Sequence, residues 1–431
     1  MESLGITLFV LFFIYMLFGM PLAICLGLSV MTTFWYHDTL PLMAVAQKLY
    51  NGLDHFTLMA IPFFILASNI MTTGGVSKRL IDACNAFVGH YSGGLAVASI
   101  ISCMFFAAIS GSSPSTVVAI GTIMIPAMIA SGYGERYSVG LLGSAGSLGI
   151  LIPPSIPMIV YCVATEQSVG KLFMAGVGPG LFMGSLFIIT AVVYAQIKGF
   201  KGGEALPWKD RTVVLWKALP GLFMPFLVLG GIYGGIFTPT EAAAVAVFYS
   251  LFVGLFVYRD LKFRDVPKVF ARSAVMMAMI LFIITNAMLF AFILTTEGIP
   301  GAIAEFIIGH AVTPWVFLLF VNVLLYFVGD FMEPSAAILI LAPLFLPIVM
   351  KLGIDPIHFG VIMTVNMEIG MITPPVGLNL FVASGISGLS LWEVFRGAAP
   401  FMVIMLFALM VITYVPVISL WFPKLLYGAL F

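Results

Sequence analysis

Apolar runs of bilayer-spanning character follow one another along almost the whole chain, with polar residues gathered between them. A helix needs about 20 mainly apolar residues to span the hydrocarbon core. LGITLFVLFFIYMLFGM (4–20), LFMGSLFIITAVVYAQI (181–197) and PFMVIMLFALMVITYV (400–415) are runs of this kind. The pattern predicts spans near 4–20, 21–36, 56–72, 137–165 and 172–197, then near 219–237, 240–258, 273–294, 357–385 and 397–422. Two further apolar stretches, 93–131 and 312–352, each carry a polar apex containing Gly and Pro at the middle. They read either as two short spans with a surface loop or as re-entrant hairpins. The arms beside the first apex are about 16 residues, at or below the lower limit for a span, which favours hairpins. Polar backbone at membrane depth is tolerated only inside protein or a water-filled cavity.

The interruptions come in pairs. SGSSPSTVVAIGTIMIP (110–126) precedes GILIPPSIP (149–157), and GDFMEPSAAILILAPLFLP (329–347) precedes GMITPPVGL (370–378). Pro126, Gly132, Gly149, Pro153 and Pro154 recur 221 residues later as Pro347, Gly353, Gly370, Pro374 and Pro375. Thr72, Thr73 and Gly75 recur as Thr295, Thr296 and Gly298 at an offset of 223. The chain therefore divides into a first repeat, 1–197, a connector, 198–217, and a second repeat, 218–431. Each repeat holds about five spans, one hairpin (93–131 or 312–352) and one broken helix (137–165 or 357–385). Paired, interrupted apolar segments in two halves of a membrane chain point to a transporter binding site.

Composition fixes the class. The chain is 62% hydrophobic and 8% charged, against roughly 25% charged in a soluble domain. This excludes a soluble protein and predicts an all-α polytopic membrane protein in contact with lipid. Net charge is zero, with 18 basic and 18 acidic residues, which argues against a nucleic-acid partner. The segments 198–217 and 259–272 hold ten of the 18 basic residues, so the positive-inside rule places both in the cytoplasm. The spans at 219–237 and 240–258 return the chain to the side it left, so the two assignments agree. Counting outward puts both termini outside, and an odd number of crossings per half makes the repeats inverted. The segment 37–55 holds a single Lys, as an outside loop should. The first basic residue is Lys48, so the N-terminus does not resemble a cleavable signal peptide. Cys25, Cys84, Cys103 and Cys162 lie in or beside apolar runs and read as small buried hydrophobes. The five histidines are scattered, and no nucleophilic triad or GxxxxGK[ST] loop occurs. No enzyme and no ATP-driven pump is predicted.

The interruptions carry the candidate chemistry. At the first tip, Ser110-Gly111-Ser112-Ser113-Pro114, glycine allows a tight turn. The serine hydroxyls and freed carbonyls could point inward there, and either Thr116 or Ser113 could cap the departing helix. Facing it, Pro153 and Pro154 remove two N–H donors and open the turn from Gly149. Carbonyls left without donors suit a hard cation such as Na⁺; the alternative is a kink with close helix packing. The second tip, Gly329-Asp330-Phe331-Met332-Glu333-Pro334-Ser335, carries two carboxylates, which are costly at membrane depth. Asp330 and Glu333 could bind a cation, titrate or cap a helix. Glu368 is another intramembrane acid. Asn366 and Asn379 flank the second break and could bind a polar substrate, or bond helix to helix. Thr238-Pro239-Thr240-Glu241 reads as a capping arrangement.

GIFTPTEAAAVAVFYSL (235–251), GSSPST (111–116), GILIPPS (149–155) and GMITPPVGLNLFV (370–382) resemble the large membrane subunit of tripartite ATP-independent periplasmic (TRAP) transporters, the DctM type. The resemblance covers essentially the whole chain. It implies an elevator-type fold in the bacterial inner membrane, with a scaffold and a mobile transport domain. It implies transport driven by a Na⁺ gradient, with at least two Na⁺ sites. A periplasmic solute-binding protein (DctP type) would deliver an organic acid, such as a C4-dicarboxylate or sialic acid. A small four-helix membrane subunit (DctQ type) would be a separate chain. On this sequence, one implied Na⁺ site takes Ser110, Ser112 and Ser113 with carbonyls of Gly149, Ile152 and Pro154. A second takes Gly329 with Gly370, Thr373 and Val376. Substrate would lie between the tips, against Ser112, Asp330, Glu333, Asn366, Thr373 and Asn379. A stand-alone ion-coupled exchanger of the wider superfamily is the rival reading.

Overall fold

The computed structural model describes residues 2–37, 42–310 and 312–428, and all regular structure among them is helical. Nine of the described helices are long and apolar enough to cross a membrane. Shorter apolar helices, including Gly94–Ser110, Ile156–Thr165 and Leu378–Ser387, complete the hairpins and broken helices. Helix starts at Gly94, Ser113, Glu135, Ile156 and Val169 are followed 220 to 222 residues later by starts at Pro314, Pro334, Pro356, Leu378 and Leu391. The four cysteines are buried and free.

The helices fall into two packed groups. Glu2–Leu17, Leu22–His37, Ala60–Thr73, Trp208–Tyr233, Pro239–Phe252 and Val266–Thr296 form a chain of packed neighbours, in which Trp208–Tyr233 also packs on Val76–Val88 and Val266–Thr296 packs equally on Pro334–Lys351 of the other group. The hairpin arms and broken helices form the second group. There the return arm Ser113–Ala130 packs on Glu135–Ser147 of its own half and on Leu378–Ser387 of the other. Its counterpart, Pro334–Lys351, packs on Pro356–Gly370 and reciprocally on Ile156–Thr165. Each tip thus lies at the centre of a four-element cluster built from both halves.

Loops assigned to a common side pair with one another. Arg136 bonds Glu393 at 3.0 Å, Arg79 pairs with Asp260, and the Ser92 hydroxyl donates to the Phe200 carbonyl at 2.7 Å. On the other side the Thr240 hydroxyl donates to the Phe56 carbonyl at 3.1 Å, and Trp315 stacks on Tyr414. Thr238 and Glu241 form a reciprocal capping box at the start of their helix, the structural role expected of them.

Four stretches depart from the sequence pattern. The span expected at 397–422 is two helices, Leu391–Tyr414 and Val417–Tyr427. Pro416 is the reason, because the residue before proline is pushed out of the α region, and Val415 sits at φ −121°, ψ 77°. The connector 198–217 is half helical, since a helix begins at Trp208 directly after Pro207. The loop 259–272 becomes helical from Val266. Within the expected outside segment 37–55, Leu42–Leu53 is a helix, and residues 38–41 lie outside the described residues, as do Met1 and 429–431 at the termini.

Candidate ion and substrate site

The first tip meets the first break through backbone. Gly111 turns the chain at φ +62°, and its carbonyl accepts from the Ile156 N–H at 3.2 Å. The helix Ser113–Ala130 starts from Ser112, with Pro114 in its first turn. Neither Thr116 nor Ser113 caps it. Thr116 instead donates its hydroxyl back to the Ser112 carbonyl at 3.0 Å and sits 2.9 Å from the Ser110 hydroxyl. A helical turn has room for this back-bond where the chain has just left extended geometry.

Opposite, Pro153 cannot donate to Gly149, and the carbonyls of Gly149, Ile152 and Pro154 accept no backbone hydrogen bond in the loop. Ser155 restarts the helix by accepting from the Met158 N–H and donating to the Ile150 carbonyl. Gly149 faces the tip so closely that a Cβ there would lie 2.6 Å from the Ser112 carbonyl oxygen. The tip residues Gly111 and Ser112 therefore lie against Pro154 and Gly149 of the break.

The second pair repeats the backbone arrangement. Gly370 lies against Gly329, where a Cβ would come within 2.4 Å of the Gly329 carbonyl carbon. The Val376 N–H donates to the Asp330 carbonyl at 3.2 Å. Thr373 donates its hydroxyl to the Ile369 carbonyl at 2.7 Å, keeping both lone pairs of its own oxygen. Both Pro153–Pro154 and Pro374–Pro375 peptides are cis. Gly329, Asp330, Gly370, Thr373 and Val376 are thus neighbours.

Side-chain chemistry separates the two pairs. Asp330 is buried with Oδ1 unpartnered, and Glu368 is fully buried with neither carboxylate oxygen bonded. The first tip and break, 110–114 and 149–154, contain no acidic residue. Glu333 turns onto its own helix, accepting from the Ala336 N–H at 3.1 Å and the Ser335 hydroxyl at 2.9 Å. Its carboxylate is an N-cap. Replacing it by another capping residue, Glu333→Ser, should leave uptake within about threefold, whereas Glu333→Ala should cost about 1 kcal/mol of stability. Thermal melting and initial uptake rates measured together check this; a Ser variant that melts normally but does not transport contradicts the capping role.

The two asparagines part company. Asn379, from the second half, reaches the first tip: its Nδ2 donates to Ser113 Oγ at 3.1 Å and to the Gly143 carbonyl at 3.3 Å. Ser113 in turn donates to the Gly146 carbonyl at 3.0 Å. Asn366 instead donates to Asn322 Oδ1 at 2.7 Å, and Asn322 donates to the Thr413 hydroxyl at 3.0 Å. His358 Nε2 lies 3.2 Å from the Thr413 carbonyl, closing a buried polar chain. That chain ties the second hairpin to its broken helix, and the sequence reading missed Asn322, Thr413 and His358 in it. Asn322 was findable as the one polar side chain in FLLFVNVLLYF (317–327), since buried amides in membrane helices seek partners on other helices.

The hydroxyls of Ser110, Ser112 and Thr373 and the carbonyls of Gly149, Ile152, Pro154 and Gly329 are neutral oxygens of the kind that could hold a hard cation such as Na⁺, whereas the Gly370 carbonyl is taken by the Thr373 N–H at 3.2 Å. The same motifs mark a family. A model of the tripartite ATP-independent periplasmic transporter, DctM component, matches residues 9–418. The chain belongs to the DctM family. It is 53% identical to the C4-dicarboxylate TRAP transporter large permease protein DctM of Pseudomonas aeruginosa, over 93% of each chain. Identity to the protein of the same name from Rhodobacter capsulatus is 48%, covering 98% of this chain and 99% of that one. An isethionate TRAP transporter permease protein, DctMQ, of Oleidesulfovibrio alaskensis is 44% identical, with this chain covering 66% of its length. In solved structures, the DctM-family fold is shared with the YdaH transporter of Alcanivorax borkumensis at TM-score 0.63 and 16% identity, covering 86% of this chain and 88% of that one. MtrF of Neisseria gonorrhoeae matches at TM-score 0.62 and 14% identity, covering 89% and 85%. This DctM-family chain is a multi-pass membrane transport component, not an enzyme.

Proposed function

We propose that the chain is the large subunit of a Na⁺-driven transporter that takes up C4-dicarboxylates handed over by a periplasmic binding protein. The observation that carries this reading is the pair of matched tip–break contacts, each lined with freed carbonyls and closed on a glycine. One Na⁺ would be held by Ser110 and Ser112 with the carbonyls of Gly149, Ile152 and Pro154. Another would be held by Gly329, Gly370, Thr373 and Val376. When bound, the cations supply positive charge beside the tips.

An anionic substrate then has partners without an arginine. Helices starting at Ser113, Ile156, Pro334 and Leu378 present their N-termini at the two tips and breaks, and helix N-termini favour carboxylates. Ser112, Thr373 and Asn379 Oδ1 add polar contacts, while the acids Asp330 and Glu368 bias the second pair toward cations. Two packed helix groups, one holding both tips, suit an elevator in which the tip group moves against the other. The basic loops 198–217 and 259–272 face the cytoplasm, the termini face the periplasm, and a small membrane subunit completes the inner-membrane complex. The dicarboxylate assignment rests on the names of the relatives at 53% and 48% identity.

Reconstitution with the small subunit and the loaded binding protein tests the substrate. Labelled succinate should accumulate and be displaced by malate and fumarate. Displacement by a sialic acid or isethionate but not by malate would overturn the assignment.

A further inference from the structure

We propose that the groove between helices Trp208–Tyr233 and Pro239–Val257 binds one anionic phospholipid, from the leaflet beside the basic loops. The groove holds about 340 Å³ and opens on the outer face of the helix pair. Its walls are apolar, with Trp216, Leu219 and Phe223 on one side and Phe252, Val253 and Val257 on the other. The Tyr249 hydroxyl, also in the wall, is already donated to the Pro220 carbonyl at 2.7 Å. Apart from the Trp216 indole N–H the wall is apolar, and hydrocarbon satisfies it.

The mouth is cationic. Arg259, two residues beyond Val257, and Lys217, about 100° round its helix from Trp216, are both exposed at this end of the helix pair. Helix Pro239–Phe252 ends in a π-helical turn, Val253–Val257, and Arg259 follows at φ +59°. Its Nε donates to the Phe256 carbonyl at 3.3 Å, which fixes the base of the guanidinium and leaves its terminal N–H groups outward. The neighbouring acid, Asp260, is held by Arg79 and does not neutralise it. Lys262 and Arg264 follow, exposed, in the same loop. Basic residues at the cytoplasmic mouth of an intramembrane groove recognise anionic headgroups, and Trp216 sits where interfacial tryptophans anchor.

This inference is independent of the ion and substrate assignment.

Trp216 is the reporter. With Trp35, Trp208, Trp315, Trp392 and Trp421 changed to phenylalanine, the protein is placed in nanodiscs containing brominated phosphatidylglycerol or brominated phosphatidylcholine at equal mole fraction. The anionic lipid should quench Trp216 at least threefold more strongly, and Lys217→Gln with Arg259→Gln should abolish the difference. Equal quenching by both lipids overturns the proposal. So does quenching that vanishes once the small subunit is bound, which would assign the groove to that subunit. Native mass spectrometry keeps the test decisive if the five-fold substitution does not fold. The otherwise wild-type protein should retain one anionic phospholipid more than the Lys217→Gln/Arg259→Gln protein, and an unchanged count contradicts the site.

Discussion

Gly370→Ala should reduce initial uptake by about 100-fold, a barrier change of about 2.7 kcal/mol, in protein that still assembles. A single methyl group at this position would lie 2.4 Å from the Gly329 carbonyl carbon and 2.5 Å from its oxygen. Both are backbone atoms, so no rotamer change relieves the clash, and the second tip must withdraw from its break. Overpacking of this kind costs roughly 1–3 kcal/mol of stability, too little to unfold a large domain. The ligand cage, however, depends on the contact itself. Gly149→Ala should act in the same direction, since its methyl would meet the Ser112 carbonyl oxygen at 2.6 Å. Gly385→Ala, in the second arm of the same broken helix, meets nothing within 4 Å and should transport within twofold of the unaltered protein. Initial rates in proteoliposomes at matched protein content decide it; normal transport by the Gly370→Ala protein would show that the contact is not part of the cycle.

Asn379→Leu should reduce uptake at least tenfold and lower the melting temperature by a few degrees. The substitution removes both bonds by which the second half holds the first tip, to Ser113 and to the Gly143 carbonyl. The buried Ser113 hydroxyl would still donate to the Gly146 carbonyl but lose the donor it accepts, a loss of about 1 kcal/mol. Because Asn379 and Ser113 are direct partners, their substitutions should not add. A double-mutant cycle with Ser113→Ala is expected to give a coupling of about 1 kcal/mol. Asn366→Leu, which belongs to the separate Asn322–Thr413 chain, should combine additively with Ser113→Ala. Strict additivity for the Asn379 pair would remove the cross-half tie from the account.

The sequence exposed the interruptions because prolines and glycines are rare inside apolar runs and have a local effect. Pro153, Pro154, Pro374 and Pro375 open the helices where they stand, and the tips at Gly111 and Glu333 turn where their residues allow. The spans were legible for the same reason, although the helices from Trp208 and Val266 begin well before the apolar runs at 219 and 273, and apolarity continues across the helix break at Pro416. What stayed hidden was long-range. Nothing local says that Asn379 bonds Ser113, 266 residues away, or that Asn366 bonds Asn322 rather than a ligand. Glu333 carried two roles in the sequence, and only the direction of its carboxylate, back onto Ala336, selects the cap. Short helices such as Val76–Val88 and Ile299–Gly309 escaped because they are too short to register as spans.

If the two tip–break pairs couple uptake to Na⁺, an inward Na⁺ gradient must drive it. The most direct test is the initial rate of labelled succinate entry into proteoliposomes holding the chain and its small subunit, with the loaded binding protein outside. Uptake is predicted under an inward Na⁺ gradient, with strong loss when K⁺ replaces Na⁺ or when Gly149→Ala or Gly370→Ala protein is used. Equal uptake under a K⁺ gradient, or undiminished uptake without the binding protein, would contradict it.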